Sequence, residues 1–266
     1  MKNQITKEFK KVGWEMYFYQ LALLKKTGIP HNTRFILFSQ GRTGSNLLRT
    51  LLDSHPDIAC DGDIFVHRYI KMLSPKLYIK GHLAKASGAK VYGFQLKLSA
   101  LEEFEKDAKR FLSDFHENGW KIIYLRRKNL FRRKMSAKIA IAKNKWLYAK
   151  EQHLESAQSF KFHWDCDELL ASLKDAERRE QKDAEVLKEL PYLEIIYEDE
   201  LSKAEQHQKT ADKVFDFLGV QSTTIHTNMV KTPFQSPEKI IENYDEIVTF
   251  LSQTQYAHFL EDNLTE

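Results

Sequence analysis

The chain has 266 residues, of which 42% are hydrophobic, 29% charged and 12% aromatic. This composition is that of an ordinary globular protein, and it excludes a disordered or collagen-like chain. The formal net charge is only +4, which by itself indicates no particular partner. Because this length is within the reach of one α/β domain, we expect a single domain over residues 1–266.

The N-terminal segment predicts a helix. Apolar and aromatic side chains alternate with Lys and Glu at roughly helical spacing over the first 26 residues, which indicates an amphipathic helix within residues 1–30. This helix either packs on the domain or binds a membrane surface or a partner, and it could also serve as a contact in a homo-oligomer.

A strand, a turn and a helix follow the N-terminal segment. The apolar run at 34–40 predicts a strand, and it ends in a turn that contains glycine. The leucine-rich segment 45–53 has one apolar face and predicts a helix. That helix ends before Pro56, since proline disfavours helical geometry in the residue that precedes it.

The rest of the chain continues the alternation. Three further strands are predicted at 89–98, 120–127 and 191–200. Helices are predicted at 99–118, 165–190, 203–219 and 236–262, and also in the basic stretch that follows the strand at 120–127. Alternating strands and helices predict an α/β fold, a parallel sheet with helices on both faces. Such sheets bind ligands at the carboxyl ends of their strands.

The turn after the first strand has the features of an anion site. Gly41 and Gly44 allow a tight turn directly before a helix, which directs backbone N–H groups and the positive helix end at one point. Arg42 adds a positive charge. Side-chain donors follow at Thr43, Ser45 and Asn46. The turn lacks the Lys-Ser/Thr pair of the nucleoside triphosphatase loop, which disfavours a triphosphatase or ordinary kinase. The alternative is a turn that needs glycine and binds nothing.

A second basic loop follows the strand at 120–127. Ten basic and no acidic residues lie in 126–150, and the remainder has 31 basic against 37 acidic side chains. Arginines with Ser136 downstream could hold a second phosphate, which implies a ligand that is anionic at both ends. Part of this segment is instead expected to form a solvated helix face, namely Arg132, Arg133, Lys143, Lys145 and Lys150. A single basic segment without a known motif makes nucleic acid the weaker interpretation.

The two loops together resemble those of the sulfotransferases that use 3′-phosphoadenosine 5′-phosphosulfate (PAPS), especially the bacterial carbohydrate branch with the nodulation-factor and trehalose sulfotransferases. FILFSQGRTGSNLLRTLLDSHPDI is similar to the 5′-phosphosulfate loop of that branch, and IIYLRRKNLFRRKMSAKIA is similar to its 3′-phosphate element. CDGDIF, LEIIYEDEL and KVFDFLGV are similar to further landmarks, so the likeness spans about 34–262. It implies a sheet like that of P-loop proteins and transfer of a sulfonate to a hydroxyl group, most readily of a carbohydrate or glycolipid.

The resemblance also implies roles for the first loop. Arg42 stands where many sulfotransferases have a lysine, and it would contact the bridging oxygen and the sulfonate. The 5′-phosphosulfate would be held by Thr43, Gly44, Ser45 and Asn46. Lys97 could contact the sulfonate, and Lys231 could close over the nucleotide. The alternative for each is an ordinary exposed lysine, which is more common. The resemblance implies no divalent metal.

For the 3′-phosphate, which the product adenosine 3′,5′-bisphosphate retains, the resemblance favours Arg127 and Ser136. In much of the family the two residues are eight apart, a spacing that points to Lys128 instead, and Arg126 is a third candidate. These three alternatives stay open at the level of the sequence.

The resemblance places the general base shortly after the first predicted helix. Asp63 is the matching carboxylate and Asp61 its near neighbour; the alternative is a carboxylate that only caps a turn. His55 and His67 are further candidates, although each fits a surface or capping histidine. A non-catalytic module that binds a nucleotide or sulfated glycan, and a divergent nucleotide kinase, remain the alternative functions.

Location is predicted from what the sequence lacks. Cys60 and Cys166 are far apart and form no C-x-x-C motif, so neither a disulfide framework nor a cysteine-rich zinc site is expected. No apolar run approaches the length of about 18 residues that a membrane span needs, and the first residues lack the apolar stretch of a signal peptide. We expect a soluble cytoplasmic protein.

Overall fold

The computed structural model describes residues 2–24, 33–65, 74–86, 88–105, 107–143, 160–229 and 236–261. The chain divides into two compact units. The first, here called the sheet unit, comprises Met1–Gln40, Gly44–Arg126 and Val186–His226. The second, the helical unit, comprises Gly41–Thr43, Arg127–Glu185 and Thr227–Glu266. That residues 1–266 form a single domain stays a prediction.

The sheet unit is built on five parallel strands. The strands are β1 Thr33–Ser39, β2 Ile58–Asp63, β3 Val91–Leu96, β4 Trp120–Arg126 and β5 Leu193–Ile196. Their order is β2-β3-β1-β4-β5, and each neighbouring pair is parallel. β1 therefore lies at the centre, between β3 and β4. The predicted parallel sheet is confirmed.

The helices follow in chain order. They are α1 Lys2–Leu24, α2 Ser45–Asp53, α3 Pro75–Lys85, α4 Leu98–Leu101, α5 Ala108–Glu117, α6 Leu130–Ala142, α7 Cys166–Leu187, α8 Tyr197–Glu200, α9 His207–Leu218, α10 Pro237–Ile240, α11 Tyr244–Ser252 and α12 His258–Glu261. Within the described part of the chain, none of them has both the length and the apolar character needed to cross a bilayer. The cytoplasmic location stays a prediction.

Alternate side chains of β1 enter two separate cores. Phe35 and Leu37 pack in the core that includes α2 and α9. Ile36 and Phe38 pack in the core that includes α3 and α5. All four side chains are fully buried, which explains why β1 is a continuous apolar run in the sequence. Helices on both faces of the sheet are thereby confirmed.

The predicted N-terminal helix is present as α1, and it packs on α3. The ring of Phe18 stacks on His82, with 3.6 Å between the ring centroids and 12° between the planes. Gly81 allows this approach, because a Cβ there would collide with the backbone of Phe18. α1 thus packs on a helix of its own unit; that it also binds a membrane surface or a partner stays a prediction.

The helical unit has an aromatic core of its own. Phe131 of α6 stacks on Trp164, which precedes α7, and both are buried with Tyr256. Asn129 caps α6 by accepting from Arg132 N–H at 2.8 Å. Its amide nitrogen also donates to the carbonyl oxygen of Phe259 at 3.0 Å. One side chain thus both starts α6 and ties it to the C-terminal helices.

Two predicted elements have wrong boundaries. The helix expected at 99–118 is interrupted between α4 and α5, because Asp107 starts a new helix by accepting from Arg110 N–H at 2.9 Å. The strand expected at 191–200 ends at Ile196. Its N–H donates to the Glu200 carboxylate at 3.0 Å, and Tyr197–Glu200 turn into α8.

Two elements have no counterpart among the sequence predictions, β2 and α3. β2 carries aspartates and a glycine, which are depleted in strands, so its pattern is weak. α3 did have a local signal, since Ser74 caps it by accepting from Leu77 N–H at 3.3 Å and Pro75 occupies the first helical position.

Candidate functional site

The turn between β1 and α2 has an unusual backbone. β1 ends at Ser39 and α2 begins at Ser45, as predicted. Within the turn, Arg42 and Gly44 have positive φ angles of 65° and 90°. A left-handed conformation is uncommon for a residue other than glycine and recurs at functional sites. The turn therefore holds Arg42 in a backbone conformation that residues other than glycine rarely adopt.

Gly44 is required for two independent reasons, both within the sheet unit. Its φ of 90° disfavours any residue with a Cβ. A Cβ at this position would also lie only 2.6 Å from Cδ2 of Tyr197. Tyr197 follows β5 and is 8% exposed. Sequence reasoning missed Tyr197, although it lies within LEIIYEDEL, a segment that carries the family resemblance.

Arg42 and Ser136 are in direct contact, and both belong to the helical unit. Nε and one terminal nitrogen of Arg42 donate to Ser136 Oγ at 3.0 and 2.9 Å. Ser136 lies on α6 and is 6% exposed. The resemblance assigns Arg42 to the 5′-phosphosulfate loop and Ser136 to the 3′-phosphate element. The structure brings these two predicted site residues together.

The three basic candidates after β4 have different surroundings. Arg126 Nε pairs with the Glu194 carboxylate at 2.7 Å, within the sheet unit. Lys128 is exposed. Arg127 is 7% exposed and belongs to the helical unit, as does Ser136. These surroundings favour Arg127 as the basic residue that holds the 3′-phosphate together with Ser136. The assignment stays a prediction.

The remaining residues of the first loop are mostly buried. Thr43 is fully buried, Ser45 is 7% exposed, and Asn46 is half-buried. In the sheet unit, the buried Gln95 donates from Nε2 to the carbonyl oxygen of Ser45 at 2.7 Å. Gln95 thus fixes the first residue of α2. Sequence reasoning missed it, although a glutamine in the buried strand β3 is itself a signal, because buried polar groups need partners.

A bulge in β2 separates the two candidate carboxylates. Asp61 is paired with Phe94 of β3, whereas Asp63 is paired with Gln95, so the register shifts by one residue at Gly62. In a regular strand, residues two apart point to the same face. The shift instead aligns the two aspartates with neighbouring residues of β3, which face opposite sides. We therefore expect the two carboxylates to have different environments.

Asp63 forms an ion pair with Lys97. Lys97 Nζ lies 3.1 Å from Asp63 Oδ2, and Asp63 Oδ1 accepts from Phe65 N–H at 3.2 Å. The Asp63 side chain is 8% exposed and that of Lys97 is 31% exposed. The sequence treats these two residues as separate candidates, a base and a sulfonate contact. The structure places their charged groups against each other.

Asp61 belongs to a different network in the sheet unit. Its Oδ2 contacts Nδ1 of His82 at 2.8 Å and accepts from the Tyr92 hydroxyl at 3.0 Å. Burial opposes ionisation of Asp61, but these two hydrogen bonds and the positive charge of Lys85 outweigh it and lower the pKa. Burial, and after it the same aspartate, raise the pKa of Tyr92. Asp61 therefore holds β2, β3 and α3 together.

The candidate histidine His55 has hydrogen-bond partners of its own. His55 is 4% exposed; its Nδ1 accepts from Asp57 N–H at 3.0 Å and its Nε2 contacts the carbonyl oxygen of Gln221 at 2.9 Å. His55 thus fits a capping histidine, which the sequence offers as the alternative to a general base. His67 and Lys231 lie outside the described residues.

The expectation of a solvated helix face is wrong for Arg132 and Arg133. They are 6% and 4% exposed, because the part of α6 that carries them packs within its own unit. Arg133 pairs with the Glu180 carboxylate of α7 at 2.9 Å. Lys143 is half-buried, while Lys145 and Lys150 lie outside the described residues.

Comparison with solved structures shows that the fold is one that a sulfotransferase also has. The structure is similar to the crystal structure of a sulfotransferase from Alicyclobacillus acidocaldarius, with a TM-score of 0.50 and 14% sequence identity. The match covers 86% of this chain and 94% of that chain. No family model matches the sequence, and no curated protein matches it. At this identity the likeness concerns the fold, a parallel five-stranded sheet surrounded by helices.

Proposed function

We propose that this protein is a sulfotransferase that transfers the sulfonate of PAPS to a hydroxyl group of a carbohydrate or glycolipid. The contact between Arg42 and Ser136 is the observation that carries the proposal. Arg42 in the turn before α2 and Ser136 on α6, which the resemblance assigns to different ends of the same donor, lie within hydrogen-bond distance. The likeness of the fold to that of a sulfotransferase supports the same conclusion.

The first loop would hold the 5′-phosphosulfate. Gly44 with its positive φ, and the N-terminal turn of α2 that starts at Ser45, provide backbone N–H groups suited to an anion. Thr43 and Asn46 are the further donors in this proposal. Arg42 would contact the oxygen that bridges phosphorus and sulfur, and would stabilise the charge that develops there.

The second loop would recognise the 3′-phosphate. Arg127 would supply the charge and the forked donors that suit phosphate, and the Ser136 hydroxyl would add a hydrogen bond. The product adenosine 3′,5′-bisphosphate retains both of its phosphates. We therefore expect the protein to bind this bisphosphate far more tightly than a nucleotide without the 3′-phosphate.

Asp63 would act as the general base. The donor supplies an activated sulfonate when it is bound. The acceptor hydroxyl would lose its proton to the Asp63 carboxylate as its oxygen bonds to sulfur, and the electron pair of the broken sulfur–oxygen bond would stay on the 5′-phosphate. A positioned base contributes roughly 10² to 10⁴ in rate. Arg42 and the loop N–H groups would neutralise the leaving phosphate.

Transfer from ³⁵S-labelled PAPS tests the proposal. The protein is incubated with the labelled donor and with trehalose, a chitin oligosaccharide or 4-nitrophenol, and labelled products are separated by chromatography. A labelled sugar is the expected result. If only the phenol is labelled, the protein is a sulfotransferase, but the proposal of a carbohydrate acceptor is refuted. Bisphosphate binding without any transfer would favour a non-catalytic module, and phosphorylation that needs magnesium and ATP would favour a kinase.

A further inference from the structure

Lys97 is fixed at the carboxyl end of β3, opposite the proposed base. It is the first residue after the strand, and its carbonyl oxygen accepts from Ala100 and Leu101 N–H groups at 3.1 and 3.0 Å. The backbone of Lys97 is therefore anchored at the start of α4. From this position its ammonium group reaches Asp63 Oδ2 at 3.1 Å.

We propose that Lys97 is a positioning residue that orients the Asp63 carboxylate for proton transfer. This inference rests on the proposed function, since it assumes that Asp63 is the base. Asp63 Oδ1 accepts a hydrogen bond from Phe65 N–H, whereas the buried Oδ2 accepts none from the described residues and lies 3.1 Å from Lys97 Nζ as an ion pair. The ammonium charge is therefore what directs the second oxygen, and reaction rates are sensitive to misplacement of about 1 Å.

The β2 bulge and β3 place this pair on the side of the sheet that carries the start of α2. Gln95 and Lys97 are two residues apart along β3 and its extension, so their side chains leave on the same side. Gln95 donates to the carbonyl oxygen of Ser45 on that side. The register shift at Gly62 sets Asp63 beside Gln95. The pair and the first residue of α2 thus share one face of the sheet unit.

The burial of Asp63 sets this pair apart from other lysine pairs of the same unit. Lys90 pairs with Asp57 at 2.8 Å, with side chains 64% and 34% exposed. Such surface pairs contribute little to stability. Asp63 is only 8% exposed, and a buried carboxylate that loses its cation is left uncompensated. Lys97 is therefore a specific partner of this carboxylate, whereas Lys90 is an ordinary surface lysine.

Lys97→Met and Lys97→Arg test the proposal, with Lys90→Met as the matched control. Affinity for adenosine 3′,5′-bisphosphate is measured by calorimetry, and kcat and KM are measured for cleavage of ³⁵S-labelled PAPS with water as the acceptor. We expect Lys97→Met to bind the bisphosphate within about threefold of the wild type. Its kcat should fall roughly tenfold or more with little change in donor KM, and Lys97→Arg should restore most of it.

The contrary outcomes are distinct. An unchanged kcat in Lys97→Met would overturn the positioning role, and so would a loss expressed mainly in donor KM, which would make Lys97 a contact of the donor. If Lys97→Met does not fold, Lys97→Gln serves in its place. A wild-type protein that does not bind the bisphosphate would refute the proposed function itself, whereas normal binding with an unaffected Lys97→Met refutes only the inference.

Discussion

Arg42 donates two hydrogen bonds to a single oxygen atom, Ser136 Oγ, from a position 94 residues earlier in the chain. Arg42 adopts a left-handed backbone conformation with φ of 65°, and Ser136 is buried on α6. In the proposed function, an anion bound beside this pair would meet a guanidinium group and a hydroxyl group that are already oriented. Such preorganisation lowers the entropic cost of binding.

Replacement of Ser136 by alanine should weaken bisphosphate binding selectively. A hydrogen bond to a charged group contributes about 1.5–3 kcal/mol, which corresponds to a loss of roughly tenfold to a hundredfold in affinity. Affinity for adenosine 5′-monophosphate should fall less, because that ligand lacks the 3′-phosphate and loses only through the release of Arg42, whose two hydrogen bonds Ser136 accepts. Calorimetry with both nucleotides measures the difference.

Ser172→Ala is the matched control for this variant. Ser172 lies on α7 in the same unit, and its hydroxyl only donates to the carbonyl oxygen of Leu169 at 2.8 Å. It should leave both affinities unchanged. If Ser136→Ala lost the same affinity for both nucleotides, the assignment of Ser136 to the 3′-phosphate would be wrong.

Gly44→Ala should destabilise the fold and reduce nucleotide binding. A residue with a Cβ is strained at φ of 90° by about 1–3 kcal/mol, and its Cβ would press on the Tyr197 ring. Denaturant unfolding should show the loss. Gly41→Ala is the comparison for stability, since a Cβ there meets nothing within 4 Å. Similar stability for the two variants would contradict the described turn.

Removing the Tyr197 ring separates the two reasons for glycine at position 44, the steric conflict and the positive φ. In the double variant Gly44→Ala with Tyr197→Ala, the steric conflict disappears but the backbone strain remains. The double variant should therefore recover only part of the stability lost through Gly44→Ala, after correction for Tyr197→Ala alone. Full recovery would show that the positive φ contributes nothing.

Asp63→Asn should abolish transfer and preserve binding. The amide cannot accept the proton, so turnover of ³⁵S-labelled PAPS should fall by roughly 10² or more, while bisphosphate affinity stays close to that of the wild type. Asp61→Asn should behave in the opposite way. It disturbs the contacts to His82 and Tyr92, so it should lower the unfolding temperature but leave turnover of the folded protein. Retained turnover in Asp63→Asn would place the base elsewhere.

Asp175 of α7 predicts a pH dependence of stability. Burial would raise its pKa, but hydrogen bonds from Arg178 and Arg179, and the charges of Arg179 and Lys134, lower it from 3.8 to about 2. Because the folded pKa lies below the unfolded one, the contribution of Asp175 is complete above about pH 4 and is lost as the pH falls toward 2. The unfolding-temperature difference between wild type and Asp175→Asn should shrink as the pH falls from about 4 to about 2. A constant difference would contradict the assignment.

The sequence predicts the fold where a pattern is local. The apolar run of β1 and the leucine face of α2 each follow from their own residues. β2 is different, because Asp61 and Asp63 become strand residues only through pairing with β3 and contacts to His82 and Lys97. Tertiary partners decide such a segment, and no local pattern shows them.

The site divides in the same way. Gly44 and Arg42 are visible in the sequence because a tight turn before a helix needs particular residue types. Their partners Tyr197 and Ser136 lie more than 90 residues away, and only folding brings each pair together. Ser136 is predicted from the family resemblance. The roles of Tyr197 and Gln95 follow only from their contacts in the structure.

The most direct test of the central claim is calorimetry of the wild-type protein with two nucleotides that differ only in the 3′-phosphate. We expect adenosine 3′,5′-bisphosphate to bind at least roughly tenfold more tightly than adenosine 5′-monophosphate, since charge-assisted hydrogen bonds to the extra phosphate add about 1.5–3 kcal/mol. Equal affinities, or no binding of either nucleotide, would contradict the assignment of this protein as a sulfotransferase that uses PAPS.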